Sequence, residues 1–224
     1  MKNKNKKNER AKFYALFFTT VVALIFTSGC NMSVNKDIAI DNGKRVGNSQ
    51  NSVNGNITIG SNCDIGGSCR SVNGNILVQR ESQVRELQTV NGRIGVGQAV
   101  VVRGDVESVN GSVVCDSGAE VTGSVSTING SIDLNNTLVR RDVSTYNGHV
   151  TLLDQSMVHG DIIVKKSKGN SNQFRPLEIR IAEGSVVEGD ILVRDDRIDV
   201  IVILAEGGTV KGEVIDAEVV RETD

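Results

Sequence analysis

Residues 108–130 read SVNGSVVCDSGAEVTGSVSTING, so the stretch opens and closes on one theme, Ser/Thr-Val/Ile-Asn-Gly, 19 residues apart. The theme recurs along the chain. Asn-Gly pairs begin at Asn54, Asn73, Asn91, Asn110, Asn129 and Asn147, at intervals of 19, 18, 19, 19 and 18. A fixed period of this size marks a solenoid whose units stack on their neighbours. With Asn as position 1, apolar or small residues recur at positions 4, 6, 10, 12, 16 and 18 or 19. In the coil that starts at Asn91 these are Ile94, Val96, Val100, Val102, Val106 and Val109; in the next they are Val113, Cys115, Ala119, Val121, Val125 and Ile128.

Strand residues alternate faces, so two inward residues separated by one, then a gap, repeated three times per coil, is the pattern of three short strands with corners between them. A helical repeat would show spacings of three and four over longer segments. The expected fold is all-β: a single-stranded parallel β-helix (β-solenoid), triangular in section. The ladder extends to residues 35–53 through Ile38, Ile40, Val46 and Val53, although Lys36 replaces the glycine. It extends again to 176–193 through Ile179, Ile181, Ser185, Val187, Ile191 and Val193, and to 199–217 through Val202, Leu204, Val210 and Val214. About nine coils of 18–19 residues at roughly 4.8 Å each give a rod about 40 Å long.

Asn tolerates the left-handed region and Gly adopts positive φ without penalty, so Asn-Gly suits a sharp corner. Stacking places the six asparagines in a column where each amide can bond the next. A second column, Ser52, Ser71, Thr89, Ser108, Thr127 and Thr145, runs two residues ahead. Both columns read as structural. Asn-Gly is also a hairpin signal, but hairpins do not explain a period held over six turns.

The first twelve residues carry Lys2, Lys4, Lys6, Lys7, Arg10 and Lys12 against Glu9, and the next fourteen, FYALFFTTVVALIF, carry no charge. This is the plan of an export signal, and the apolar run is shorter than the roughly 20 residues of a spanning helix. It ends at Thr27-Ser28-Gly29-Cys30, which resembles the lipobox of bacterial lipoproteins. The resemblance implies cleavage before Cys30, acylation of that cysteine and stable membrane attachment through several chains. Asn31, rather than Asp, implies the outer membrane. The domain plan is then a signal over 1–29, a lipidated N-terminus and linker over 30–34, the solenoid over 35–217 and a tail over 218–224.

Val102-Arg103-Gly104-Asp105-Val106, Val121-Thr122-Gly123-Ser124-Val125, Val158-His159-Gly160-Asp161-Ile162, Val187-Glu188-Gly189-Asp190-Ile191 and Val210-Lys211-Gly212-Glu213-Val214 form another repeated corner. These resemble the V-x-G-x-[IV] turns of bactofilins, polymer-forming bacterial scaffold proteins. The resemblance covers most of residues 35–217 and implies a right-handed helix and self-association.

Removing residues 1–29 takes six of 25 basic and one of 27 acidic residues, leaving 19 against 26. Such an acidic balance argues against nucleic acid as a partner. Tyr146 and Phe174 are the aromatics that remain. Cys63, Cys69 and Cys115 fall at inward positions and read as small hydrophobes, with a Cys63–Cys69 disulfide left open. His149 and His159 point outward, and neither a Cys nor a His cluster suggests a metal site. Asp105, Asp161 and Asp190 read as a solvated edge. No cofactor and no reaction is expected. Residues 165–176, KKSKGNSNQFRP, break the period; insertions in solenoids map to surface loops that often carry binding. Lys165, Lys166, Lys168, Phe174 and Arg175 are the candidate contacts there. The composite expectation is a non-enzymatic, lipid-anchored envelope solenoid that scaffolds or binds proteins, with a surface adhesin or carbohydrate-binding protein as the alternative and an envelope polysaccharide-modifying enzyme as a more remote one.

Overall fold

Short apolar pairs such as Val113/Cys115 and Ile132/Leu134 bury alternate residues and then meet a corner, so no strand among the described residues exceeds five residues. In the computed structural model, which describes residues 32–166 and 176–222, these strands form three parallel sheets of ten, ten and nine strands. Each sheet takes every third strand, so the chain winds as a three-sided β-solenoid of about nine turns, with no helix among the described residues. Sheet A contains Val106–Ser108, sheet B Val113–Cys115 and sheet C Glu120–Val121, and the chain visits them in that order in every coil. Each strand pairs with its counterpart in the neighbouring coils: Val106 lies between Leu87 and Val125, and Val113 between Ile94 and Ile132.

Inward residues stack by type and fill the axis. Ile57, Ile76, Ile94, Val113, Ile132, Val150, Ile179 and Val202 form one buried column of sheet B. Branched aliphatics suit this narrow interior because they fill it in few rotamers. Solenoid pairing also begins and ends outside the expected bounds. Met32–Ser33, placed by the sequence in a linker, pairs with the first coil, and Glu218–Arg221, placed in a tail, is the last strand of sheet B.

The corner from sheet A to sheet B carries the six periodic Asn-Gly pairs, and its asparagines form a continuous ladder. The Nδ2 of Asn73, Asn91, Asn110, Asn129 and Asn147 each donates at 2.8 Å to the Oδ1 of the asparagine one coil earlier. Asn54 donates to Asn35 at 2.6 Å, so the ladder starts one coil before Asn54. The glycines correct the conformational reading above: none of those after the ladder asparagines has positive φ. Their role is close approach. A Cβ on Gly74, Gly92, Gly111, Gly130 or Gly148 would fall inside the carbonyl oxygen of the preceding coil's glycine. The left-handed column sits instead at the corner from sheet B to sheet C, through Gly43, Asn62, Glu81, Ala99, Gly118 and Asn136.

The inward assignment of Val109 and Ile128 is also corrected. The hydroxyl residue before each of them takes the inward place, because its oxygen finds a partner there. Ser71, Thr89, Ser108 and Thr127 donate to the glycine carbonyls of the preceding coil, Gly55, Gly74, Gly92 and Gly111, at 3.0–3.2 Å. The following apolar residue turns outward, and Val72, Val90 and Val109 make a small cluster separate from the core. Replacing Asn110 by Ala removes two ladder bonds, to Asn91 and from Asn129. Because this side chain is exposed, water replaces part of the loss, and thermal unfolding should report a cost of about 1 kcal/mol. Asn147→Ala, at the end of the ladder, loses the one bond to Asn129 and should cost about half as much.

Candidate functional site

At the corner from sheet C to sheet A, the V-x-G-D sequences explain themselves by stacking. The Oδ1 of Asp105 accepts the N–H of Ser124, that of Asp161 accepts the N–H of Asp190, and that of Asp190 accepts the N–H of Glu213, each at 2.8 Å. The glycine one residue earlier in the next coil leaves room for that oxygen: a Cβ on Gly123, Gly189 or Gly212 would overlap it. These carboxylates are therefore backbone caps between coils rather than a merely solvated edge. Both histidines are exposed. His149 Nδ1 accepts the N–H of Glu178 at 2.9 Å, and His159 Nδ1 lies 3.8 Å from Glu188. Cys63, Cys69 and Cys115 are buried free thiols, and Cys63 donates to the carbonyl of Asp41 at 3.1 Å. Burial pushes the Cys69 and Cys115 thiols up to about 12, which leaves them protonated and unreactive at neutral pH.

Of the residues singled out for interaction, Cys30, Lys168, Phe174 and Arg175 lie outside the described residues. Lys165 places its ammonium 6.0 Å from the centre of the Tyr146 ring. Lys166 pairs with Asp196, one coil further on. An acidic groove lies beside this pair. Between Val193 and Val200 the corner takes six residues, whereas between Ile215 and Glu218 it takes two. The longer corner overhangs the shorter one and leaves a groove of about 1100 Å³, floored by Leu192, Ile198, Val200 and Ile215 and edged by Asp196, Asp199, Asp216 and Glu218. Its wall is fixed by Asp195, whose buried carboxylate accepts Arg197 Nε at 2.7 Å and Nη2 at 2.6 Å.

At the N-terminal end two core columns close on polar residues, exposed Lys44 in the column of Cys63 and Ser82 and Gln50 in the column of Cys69 and Leu87, while three close on half-buried Ile38, Ile40 and Val46, and Val34 is 54% exposed. Gln50 Nε2 donates to the carbonyl of Asn48 at 3.0 Å, which satisfies a polar group over the axis. At the C-terminal end one column of sheet B closes on Val219 and its neighbour closes on Arg221, over Leu204. Val219 stacks on Val202 at an inward position and remains 37% exposed, and Val220 and Ile215 are 38% and 40% exposed. No strand among the described residues pairs with Glu218–Arg221 on its outer edge. The sequence singled out the insert as the contact candidate but gave no sign of this groove, which comes from corner lengths rather than from any motif.

A third feature is the outer face of sheet A, where Arg70, Gln88 and Glu107 follow one another in register. Arg70 Nε donates to Gln88 Oε1 at 2.8 Å, and Gln88 Nε2 donates to Glu107 Oε2 at 3.1 Å. Burial, then the neighbouring Asp105, holds the Glu107 carboxyl above the ordinary carboxylate range. The folded state then keeps this proton more tightly than the unfolded one, so ionisation costs stability as pH rises from the ordinary value through the raised one. Glu107→Gln should therefore raise the melting temperature at neutral pH and leave it unchanged near about pH 3. Melting curves across that range check the sign.

Comparison of the chain with family models, with curated proteins and with solved structures finds no match.

Proposed function

We propose that this chain is a lipid-anchored structural rod of the bacterial cell envelope, without enzymatic activity, that presents its C-terminal coil as a protein contact surface. Residues 1–29 direct export and are removed, acylated Cys30 holds the membrane, and the solenoid carries the contact surface away from the anchor. The observation that carries this reading is the last coil itself: Ile215, Val219 and Val220 are exposed there, and no strand among the described residues pairs with the outer edge of Glu218–Arg221. An apolar coil with an unpaired strand edge favours another surface, a second copy included. The polar side chains that could have carried chemistry support it too, since the asparagine and aspartate columns bind neighbouring coils. The likeness of the V-x-G-x-[IV] corners to bactofilins points the same way.

The test uses the soluble protein lacking residues 1–29 with Cys30→Ala, studied by sedimentation velocity over a wide concentration range. Concentration-dependent association, lost when Val219 and Val220 are both replaced by Lys, is the expected result. A monomer at every concentration, with no envelope protein retained by the wild-type surface and released by the double variant, contradicts the reading. In a bacterial host, Cys30→Ala in the full chain should move the protein out of the membrane fraction.

A further inference from the structure

The outward column of sheet A changes character half-way along. Arg70, Gln88 and Glu107 are long, and the next two members, Ser126 and Ser144, are short. Beside them the outward stripe of corner residues grows bulkier, from Val90 and Val109 to Ile128 and Tyr146, and meets Lys165. A drop in side-chain length next to a rise leaves a recess of about 100 Å³, with Glu107 at one end, Ser126 in the floor, Ile128 and Tyr146 as a wall and Lys165 closing it.

We propose that this recess is a saccharide subsite, which receives the edge of one neutral, hydroxylated ring of a polysaccharide. Backbone groups of sheet A are bound to the strands on either side, so an extended peptide finds no main-chain partners on this face. Recognition must come from side chains. The volume equals that of about three waters, which suits part of a ring or one polar substituent rather than a folded partner's protruding segment. Small-ligand sites combine apolar or aromatic walls with a few placed polar groups, and Ile128 and Tyr146 beside Glu107, Ser126 and Lys165 are such a set. A carboxylate offers about four acceptor positions. That of Glu107 receives the Gln88 amide, which leaves acceptor capacity for hydroxyl donors. Glu107, Asp105 and Glu86 together repel an anion, and Lys165 already supplies the local cation. A neutral ligand rich in hydroxyls is what remains. This subsite is independent of association at the C-terminal coil.

The test is an NMR titration of the soluble, isotope-labelled protein with cellotriose, chitotriose and maltotriose. The expected result is saturable, millimolar-range shifts with at least one of them, centred on the amides of Glu107, Ser126, Ile128 and Tyr146. Tyr146→Ala should weaken that binding about tenfold. Ser126→Leu, which fills the recess from outside the core, should abolish it, with amide spectra showing that the fold is kept. Absence of saturable shifts with all three sugars, shifts centred elsewhere, or undiminished binding by Ser126→Leu would overturn the proposal.

Discussion

Gly111→Ala should destabilise the protein by more than about 4 kcal/mol, the range reserved for changes a packed structure cannot absorb. The added Cβ would overlap the carbonyl oxygen of Gly92 in the coil below. Neither partner can move alone. Asn110 beside it is bonded to both Asn91 and Asn129, and the Gly92 carbonyl also accepts the Ser108 hydroxyl. Relief requires the coils to separate at this corner, which opens the ladders of sheets A and B together. The contrast is Gly43→Ala, where φ is +72° and nothing lies within 4 Å of the new methyl. There the penalty is the left-handed backbone alone, about 1–2 kcal/mol. Chemical denaturation of the two variants separates the explanations. A role for Gly111 in backbone freedom would make the two costs similar, whereas a role in close approach makes them differ several-fold.

Arg197→Ala should cost about 3 kcal/mol. The Asp195 side chain is fully buried, whereas the Arg197 side chain is 37% exposed. Losing the guanidinium takes away the two strongest donors to a charge that water cannot reach and leaves weaker ones, such as the Arg197 N–H at 3.3 Å. Arg197→Lys should recover part of the loss, since it restores the charge but not the paired N–H groups that meet both carboxylate oxygens. Urea midpoints with unchanged slopes would show that stability, and not the denatured state, has shifted. Equal midpoints for wild type and Arg197→Ala would mean that the pair does not hold the 194–199 corner.

The period and its alternation were enough to give the architecture, because in a solenoid a residue's column is set by its phase alone. Val113, Ile132 and Val150 could be assigned to one buried column before any coordinates. Corner residues were harder. Alternation resets where the chain turns, so phase could not decide between Ser108 and Val109 for the inward place; the glycine carbonyl that receives the Ser108 hydroxyl decides it. The same blindness hid the purpose of the glycines. A sequence shows that Gly is present, but whether it serves φ or clearance depends on what the next coil brings to within contact distance. Asp105 shows a related limit, since the N–H it accepts belongs to Ser124, 19 residues away. The acidic groove and the recess beside Tyr146 arise from differences in length between neighbouring corners and neighbouring side chains. A repeat pattern averages such differences out.

The stacking of coils through columns at their corners is the claim on which the rest depends, and nuclear Overhauser contacts in the soluble protein test it most directly. The account predicts contacts between residues 18 or 19 apart in parallel register, Leu87 with Val106 and Val106 with Val125, together with contacts between the side-chain amides of Asn91, Asn110 and Asn129. Contacts instead between Val109 and Ser112 and outward from that pair, as in antiparallel hairpins folded about each Asn-Gly, would contradict it.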